Sequence, residues 1–311
     1  MPVNWNLIYG EQNKPLWFRV DTVKGPRFLL MVNMGGTLVS LPYFSWALMR
    51  KEVPGKVDDR ISFTLKNGRL TCSDAEVKWI VRLLRPVSDH TESHKVVSWL
   101  PLKENAGLQM GSLPSNVRRK IRKAEKNGIE IRVGGVELSE GFYRVYARNM
   151  HRLGAPVMAP VFYTRIAEAF GNNGKFVLAT YQGRNIGAAL WLQHGGKAEA
   201  CWFATLDNYN SLYTSYLLWW ACIRLSCETG CSIFSFGRST QGSGTHRFKS
   251  QWGTRESGLF WSHSHAPEKN SLKLGPLKIP LPGRTLLSEV WRRLPGFITR
   301  WLGPKVAGRY Y

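Results

Sequence analysis

Acidic residues are scarce in this chain of 311 residues: 21 Asp and Glu stand against 43 Lys and Arg, a formal net charge of +22. So lopsided a balance implies an anionic partner: nucleic acid, a phosphorylated substrate or an acidic membrane surface. A merely solvated basic surface explains it less well, because the positive charge is clustered. Cysteine is also sparse, with five residues, an odd number, and no C-x-x-C. That argues against a disulfide frame or a zinc site and predicts buried or idle thiols in a reducing compartment. Histidine pairs exist (His90 and His94, His263 and His265) but no carboxylate-rich motif accompanies them, so a metal site is not expected. The N-terminus shows no basic stretch followed by an apolar one, hence no evident signal peptide. Leu29–Met49 carries no charge, yet Gly35, Gly36 and Pro42 interrupt it, and strand and turn suit it better than a membrane helix. Neither an internal repeat nor a low-complexity segment is present.

Hydrophobic residues make up 43% of the chain, enough for a real core. Residues 1–111 read as mixed α/β, with strands at Trp17–Val20, Phe28–Val32, Leu38–Leu41 and Lys95–Leu100. Ser73–Val81 is ambiguous between helix and strand. Ser115–Asn127 is the clearest helix, with Ser115 as expected N-cap and Gly128 as stop. Val117, Ile121 and Ala124 form its apolar face. Arg118, Arg119, Lys120, Arg122, Lys123 and Lys126 cover most of the rest, against Glu125 alone. Such a helix repels itself unless an anion relieves it.

Further on, the pattern predicts a strand at Ile129–Val133, helices at Gly141–Leu153 and Phe162–Phe170, and a hairpin of Lys175–Tyr181 with Ile186–Gln193. A strand at Ala198–Leu206, a helix at Asn208–Ile223 and a strand at Ser232–Phe236 follow. Hairpin, strand, helix, strand is the middle of a GNAT-like N-acyltransferase fold. The last strand then runs into a polar, glycine-rich loop, Gly237–Gly244, and a basic-aromatic cluster. Glycines there let backbone N–H groups approach an anion, and Arg238, His246, Arg247 and Lys249 add donors.

Several chemistries fail on spacing. Gly237 and Gly242 fit a Walker-type loop, but Ser243 stands where its Lys must be. There is no G-x-S-x-G elbow, and no Cys sits beside an obvious His. Direct transfer remains: an amine attacks an activated ester or thioester, and a cation such as Lys249 stabilises the oxyanion.

Two segments in this order resemble the Fem (FemAB-type) aminoacyltransferases. Leu113-Pro-Ser-Asn-Val-Arg-Arg-Lys-Ile-Arg-Lys-Ala-Glu-Lys-Asn-Gly-Ile129 is similar to that family's basic helix. Phe236-Gly-Arg-Ser with Arg247-Phe-Lys-Ser-Gln-Trp-Gly253 is similar to its C-terminal Phe-Lys motif. The likeness runs from about Val81 to about Trp261 and is nearest to the shorter FemAB-related proteins found with exopolysaccharide and exosortase systems. It implies an α/β (α+β) fold of two tandem GNAT-like domains, with mixed sheets flanked by helices. The expected divisions are 1–111, a linking basic helix at 112–128, 129–265, and a basic amphipathic tail at 266–311.

The resemblance further implies an aminoacyl or acyl transferase that acts on an amine of a phosphorylated or lipid-linked envelope precursor, peptidoglycan or exopolysaccharide. No tightly bound cofactor is implied; the donor is aminoacyl-tRNA or an acyl thioester. By match to its motif, Lys249 is catalytic, with Phe248 beside it; Arg238, Ser239, His246, Arg247 and Trp252 around it are the further substrate-binding candidates, with Arg118, Arg122 and Lys126 on the basic helix. The chain departs from the family in lacking a long coiled-coil insertion. It also lacks the R/Q-x-x-G-x-G/A loop of coenzyme A enzymes, reading Asp207-Asn-Tyr-Asn-Ser-Leu-Tyr213 instead. The alternatives are an acyl-thioester-dependent N-acyltransferase of a sugar amine, and a non-enzymatic basic module for RNA or membrane.

The tail carries nine Lys and Arg against two Glu. Its Leu286, Leu287, Val290, Trp291 and Leu294, then Phe297, Ile298, Trp301 and Leu302, are interleaved with Arg292, Arg293, Arg300 and Lys305. That suits either an anionic membrane interface or a cap on the core. A cytoplasmic enzyme, peripheral on the inner membrane face, is the expectation.

Overall fold

The computed structural model describes residue 8 and residues 15–307, apart from 35, 42–43, 45–48, 53–56, 267–270 and 275–276. Seven strands come first: β1 (Leu16–Thr22), β2 (Arg27–Met34), β3 (Thr37–Ser40), β4 (Val57–Lys66), β5 (Arg69–Cys72), β6 (Lys78–Leu83) and β7 (His90–Pro101). Next are α1 (Ala106–Ser112), α2 (Ser115–Lys126), β8 (Glu130–Gly134), α3 (Ser139–Arg152) and α4 (Pro160–Phe170). β9 (Gly174–Tyr181), β10 (Arg184–His194), β11 (Lys197–Thr205), α5 (Thr214–Glu228), β12 (Ile233–Thr240), α6 (Gly244–Ser250) and β13 (Arg255–His263) follow. The hairpin β14 (Ser271–Leu274) and β15 (Leu277–Pro280) leads into α7 (Leu281–Arg293) and α8 (Gly296–Ala307).

Thirteen strands form one mixed sheet in the order β5-β4-β1-β2-β3-β6-β13-β7-β12-β11-β10-β9-β8. β13 lies between β6 and β7, antiparallel to both, so a late strand is inserted among early ones. The β9–β10 turn has Gln182 and Gly183 at φ of 50° and 73°, the paired positive angles of a type I′ turn. Ile186–Leu192 is an unbroken buried apolar run, as expected of a strand covered on both faces. One face packs on α1, α2 and α5 through Val177, Ala189, Trp191, Trp219 and Phe234. The other packs on α3 and α4 through Phe142, Tyr163, Ile166, Leu190 and Trp202. The early strands hold a third cluster around Phe18, Met31, Phe63 and Trp79.

Most expected elements are present, with informative differences. The charge-free stretch after Leu29 contains β2 and β3, while 42–43 and 45–48 lie outside the described residues. Among the described residues no helix is long and apolar enough to cross a membrane. The ambiguous segment after Ser73 becomes a strand only from Lys78. Ser115 is not the N-cap of α2: Pro114 is, with extended backbone and no side-chain bond, and its carbonyl accepts from the Val117 and Arg118 amides. Gly128 does end the helix, at φ 80°. The expected helix at Asn208–Ile223 is broken. A 3₁₀ turn covers Asp207–Leu212, Tyr213 is left-handed at φ 61°, and α5 starts at Thr214. A left-handed non-glycine costs about 1–2 kcal/mol, so the break is held by its surroundings rather than by propensity.

Helix α2 is pinned by its apolar face: Val117, Ile121 and Ala124 are fully buried. Ile121→Ala is expected to cost about 2–5 kcal/mol in urea denaturation. Exposed Arg122→Ala is expected to stay within about 0.5 kcal/mol of wild type.

Candidate active site at the parting of β11 and β12

The parallel strands β11 and β12 pair over only three residues: Lys197 with Ile233, Ala198 with Phe234, and Glu199 with Ser235. Both continue beyond, β11 to Thr205 and β12 to Thr240, without pairing to each other. Ligands of open α/β sheets bind at the carboxyl ends of parallel strands, and this is such an opening. Bulges flank it. The β12–β7 register shifts between Ser235 and Arg238, and the β10–β11 register shifts between Leu190 and Trp191, opposite Cys201. At the fork the Ser235 hydroxyl donates to Glu199 Oε2 (2.8 Å) and accepts from the Gly237 amide (3.1 Å).

Lys249 is not on a loop. β12 extends through Thr240, and a tight turn leads to α6, whose N-cap Ser243 accepts from the His246 amide. Lys249 lies on this short helix with 4% of its surface exposed. Its ammonium donates to the carbonyls of Gly237 and Arg238, both at 3.1 Å. Those carbonyls lie on the stretch of β12 that has left β11. Burial pushes the Lys249 pKa down from 10.5 to about 8; nearby Glu199 opposes the shift and Arg238 adds to it. Two of its three N–H donors are engaged, and one remains for a ligand.

The other expected residues divide by position. Phe248 meets the Tyr216 ring edge-on at 5.0 Å. Trp252 has no exposed surface and stacks on Tyr216 at 5.9 Å, so it backs the site rather than lining it. Arg238 is exposed, its guanidinium 5.7 Å from the Trp261 ring centre. Ser239 is buried and its hydroxyl has no hydrogen-bond partner. His246 and Arg247 tie the turn. His246 Nδ1 accepts from the Gly242 amide (3.0 Å), its Nε2 is 2.8 Å from Glu256 Oε1, and Arg247 donates to the Gly242 carbonyl (2.7 Å).

On α2, Arg118 donates to the Gly111 carbonyl (3.2 Å), while Arg122 and Lys126 face solvent. The link to α6 is made by Lys120 instead. Lys120 donates to the Tyr216 hydroxyl (2.8 Å), which donates to Gln251 Oε1 (2.8 Å). Lys123 lies 5.1 Å from the Tyr213 ring centre. Sequence reasoning missed Lys120, Tyr216, Gln251 and Glu199. A signal existed for Glu199: it is a carboxylate inside the otherwise apolar strand Ala198-Glu-Ala-Cys-Trp202.

The turn before α5, where a pyrophosphate cradle would lie, has no glycine, and Asp207 there faces Arg152 at 3.7 Å. A carboxylate at that point opposes phosphate. No cluster of three or more His, Cys, Asp or Glu with metal-binding geometry occurs among the described residues. All five cysteines are free thiols.

Comparison with known proteins bears on the fold that carries this geometry. Residues 112–250 match the family model of the acetyltransferase (GNAT) domain, a span that runs from just before α2 to Ser250, the residue after Lys249. No curated protein matches the sequence. Among solved structures, FemX is similar at TM-score 0.50 and 13% identity, over 79% of this chain and 88% of that one. L-PGS from Bacillus licheniformis is similar at TM-score 0.53 and 9% identity, over 96% of both chains. Residues 112–250 thus carry an acetyltransferase (GNAT) domain, and the chain shares its fold with FemX and L-PGS.

Proposed function

We propose that the protein transfers an aminoacyl or acyl group to an amine of a phosphorylated or lipid-linked cell-envelope precursor. The observation that carries this is the buried Lys249 ammonium at the parted strands, held by two carbonyls with one donor left over. A fixed donor in a site closed to water stabilises a developing oxyanion without reorganising. Lys120 of the basic α2 is linked through Tyr216 to Gln251, two residues after Lys249, and in this reading the α2 cations hold the phosphate. The shared fold of FemX and lysyl-phosphatidylglycerol synthetase supports envelope chemistry. For the donor, the glycine-free turn before α5 disfavours coenzyme A, which leaves aminoacyl-tRNA as the first reading. The match to the acetyltransferase family model favours a second reading, in which an acyl thioester is the donor and a sugar amine the acceptor.

The tail supports a place on an anionic inner-membrane surface while also capping the core. His151 Nε2 lies 2.8 Å from the Leu294 carbonyl, and Gly303 packs against the Val157 backbone. Yet Phe297 and Trp301 remain 67% and 66% exposed beside Arg300 and Lys305, and the Lys305 ammonium sits 3.9 Å from the Trp301 ring centre. Apolar rings flanked by cations bind anionic interfaces. A Phe297→Ser, Trp301→Ser variant is expected to keep its far-ultraviolet CD and to lose most co-sedimentation with phosphatidylglycerol vesicles. Equal co-sedimentation would remove the membrane assignment.

The donor is decided by equilibrium binding of charged tRNA, uncharged tRNA and acetyl-CoA to wild type and Lys249→Ala. Preference for charged tRNA supports the first reading; saturable acetyl-CoA binding without tRNA discrimination replaces it with the second.

Lys249 gives two further expectations. Its ammonium loses charge above about pH 8, so turnover falls on the alkaline side with a midpoint near 8. Lys249→Met is expected to lower turnover about 100-fold, the usual cost of one oxyanion donor, and to abolish that alkaline limb. An alkaline limb that survives in the variant rejects the assignment. For stability, the unfolded chain binds more protons than the folded one between about 8 and 10.5. The Lys249 contribution therefore grows as pH rises through that window and is lost as pH falls toward 8.

A further inference from the structure

A cavity of about 350 Å³ lies between the early strands and β10–β12, within the size range of small-molecule sites. Its walls are mostly apolar: Trp17, Leu30, Phe44, Trp99, Phe170 and Leu192 among them. Glu199, Cys201 and Ser235 also line it, so one end opens at the fork where β11 leaves β12. Arg50, His194 and Lys197 line the other end. From Lys197 to Cys201 the strand rises about 13 Å, at about 3.3 Å per residue. Phe44, Phe170 and Leu192 belong to the core cluster on the α3 and α4 side of the sheet, whereas Phe248 and Trp252 belong to the α2 and α5 side. Glu199 and Ser235, which pair at the fork, thus border an apolar chamber on one face, while Phe248 of α6 packs with the cluster on the other.

We infer that this cavity holds the hydrocarbon chain of the transferred group, so the donor is an acyl thioester with a medium or long apolar chain. The inference rests on the transferase reading above and selects its second donor class. The thioester carbonyl lies at the fork beside Lys249, its chain runs into the cavity, and its anionic carrier stays on the basic face. In the reaction the acceptor amine nitrogen bonds to the carbonyl carbon and the carbon–sulfur bond breaks. The sulfur leaves as thiolate, and the proton lost by the amine passes to Glu199 or to water. An acetyl group would leave most of the cavity unfilled. Its aromatic walls gain from a chain what apolar burial gives, about 0.8 kcal/mol per methylene.

The test is titration of the full chain with cis-parinaric acid, followed by fluorescence, then competition. Wild type is expected to bind the probe saturably and to release it to lauroyl-CoA. Cys201→Trp, on the cavity wall, and Leu84→Trp, at its exposed rim, are each expected to weaken probe binding at least 10-fold. Leu84→Trp keeps the test valid where Cys201→Trp does not fold. Absence of saturable binding, or unchanged binding in Leu84→Trp and a folded Cys201→Trp, overturns the inference. Displacement by dodecyl phosphate but not by lauroyl-CoA also overturns it, because the chain then belongs to a lipid acceptor. Transfer of an aminoacyl or acetyl group at full rate by Leu84→Trp leaves the transferase reading standing while the chain assignment falls. Failure of every donor with intact probe binding removes the transferase reading instead.

Discussion

Two buried parallel strands that separate must find partners elsewhere for the backbone groups they no longer share. That requirement governs the site. β12 leaves β11 after Ser235, and the Lys249 ammonium donates to two carbonyls of the stretch beyond, those of Gly237 and Arg238. The lysine is therefore a strut, and in the function proposed above the same group is the oxyanion donor. It holds the fork open by satisfying one strand edge, and the same burial that makes the strut necessary lowers its pKa toward neutrality. A leucine or methionine fills such a slot but leaves two carbonyls without donors, each an expensive loss.

What holds Lys249 in place is aromatic packing. Phe236, Phe248, Trp252 and Tyr216 form one connected group against α5, with Trp219 continuing it to Phe234. Rings with few rotamers and large contact area make a stiff support. The Tyr216 hydroxyl gives that group its polar exit, bridging Lys120 on α2 to Gln251 just beyond α6. One tyrosine of α5 thus links the basic helix, which its own buried apolar face holds in place, to the end of the lysine helix.

The periodic parts of the fold were legible in the sequence. Strand alternation, the I′ turn at Gln182-Gly183, the apolar row Val117, Ile121, Ala124 and the Gly128 stop all express local rules. The Phe-Lys motif also pointed to the short helix whose Lys249 is buried beside the parted strands. What escaped were features set by distant contacts. Tyr213 takes a left-handed backbone that no glycine or asparagine announces, so one helix read as continuous is two pieces. The end of β12 was placed too early because Gly237 reads as a loop residue, whereas it sits in the bulge where the strand leaves β11. Charge density singled out Arg118 and Arg122, yet Lys120 makes the contact because it borders the buried face. No local pattern shows which of six neighbouring cations a tyrosine from another helix will meet. Insertion of β13 between β6 and β7 is a matter of chain topology, invisible to any window of sequence.

That insertion bears on how the chain is made. On the ribosome, β6 and β7 emerge long before Arg255–His263, the strand that belongs between them. Until it arrives, each presents an unpaired edge, and the early strands cannot be joined to the later ones. Closure therefore waits for nearly the whole chain, a long-range pairing of the kind that folds slowly and exposes strands to wrong partners. The gap between β6 and β7 is thus where a wrong strand, from this chain or another, competes with β13 during synthesis.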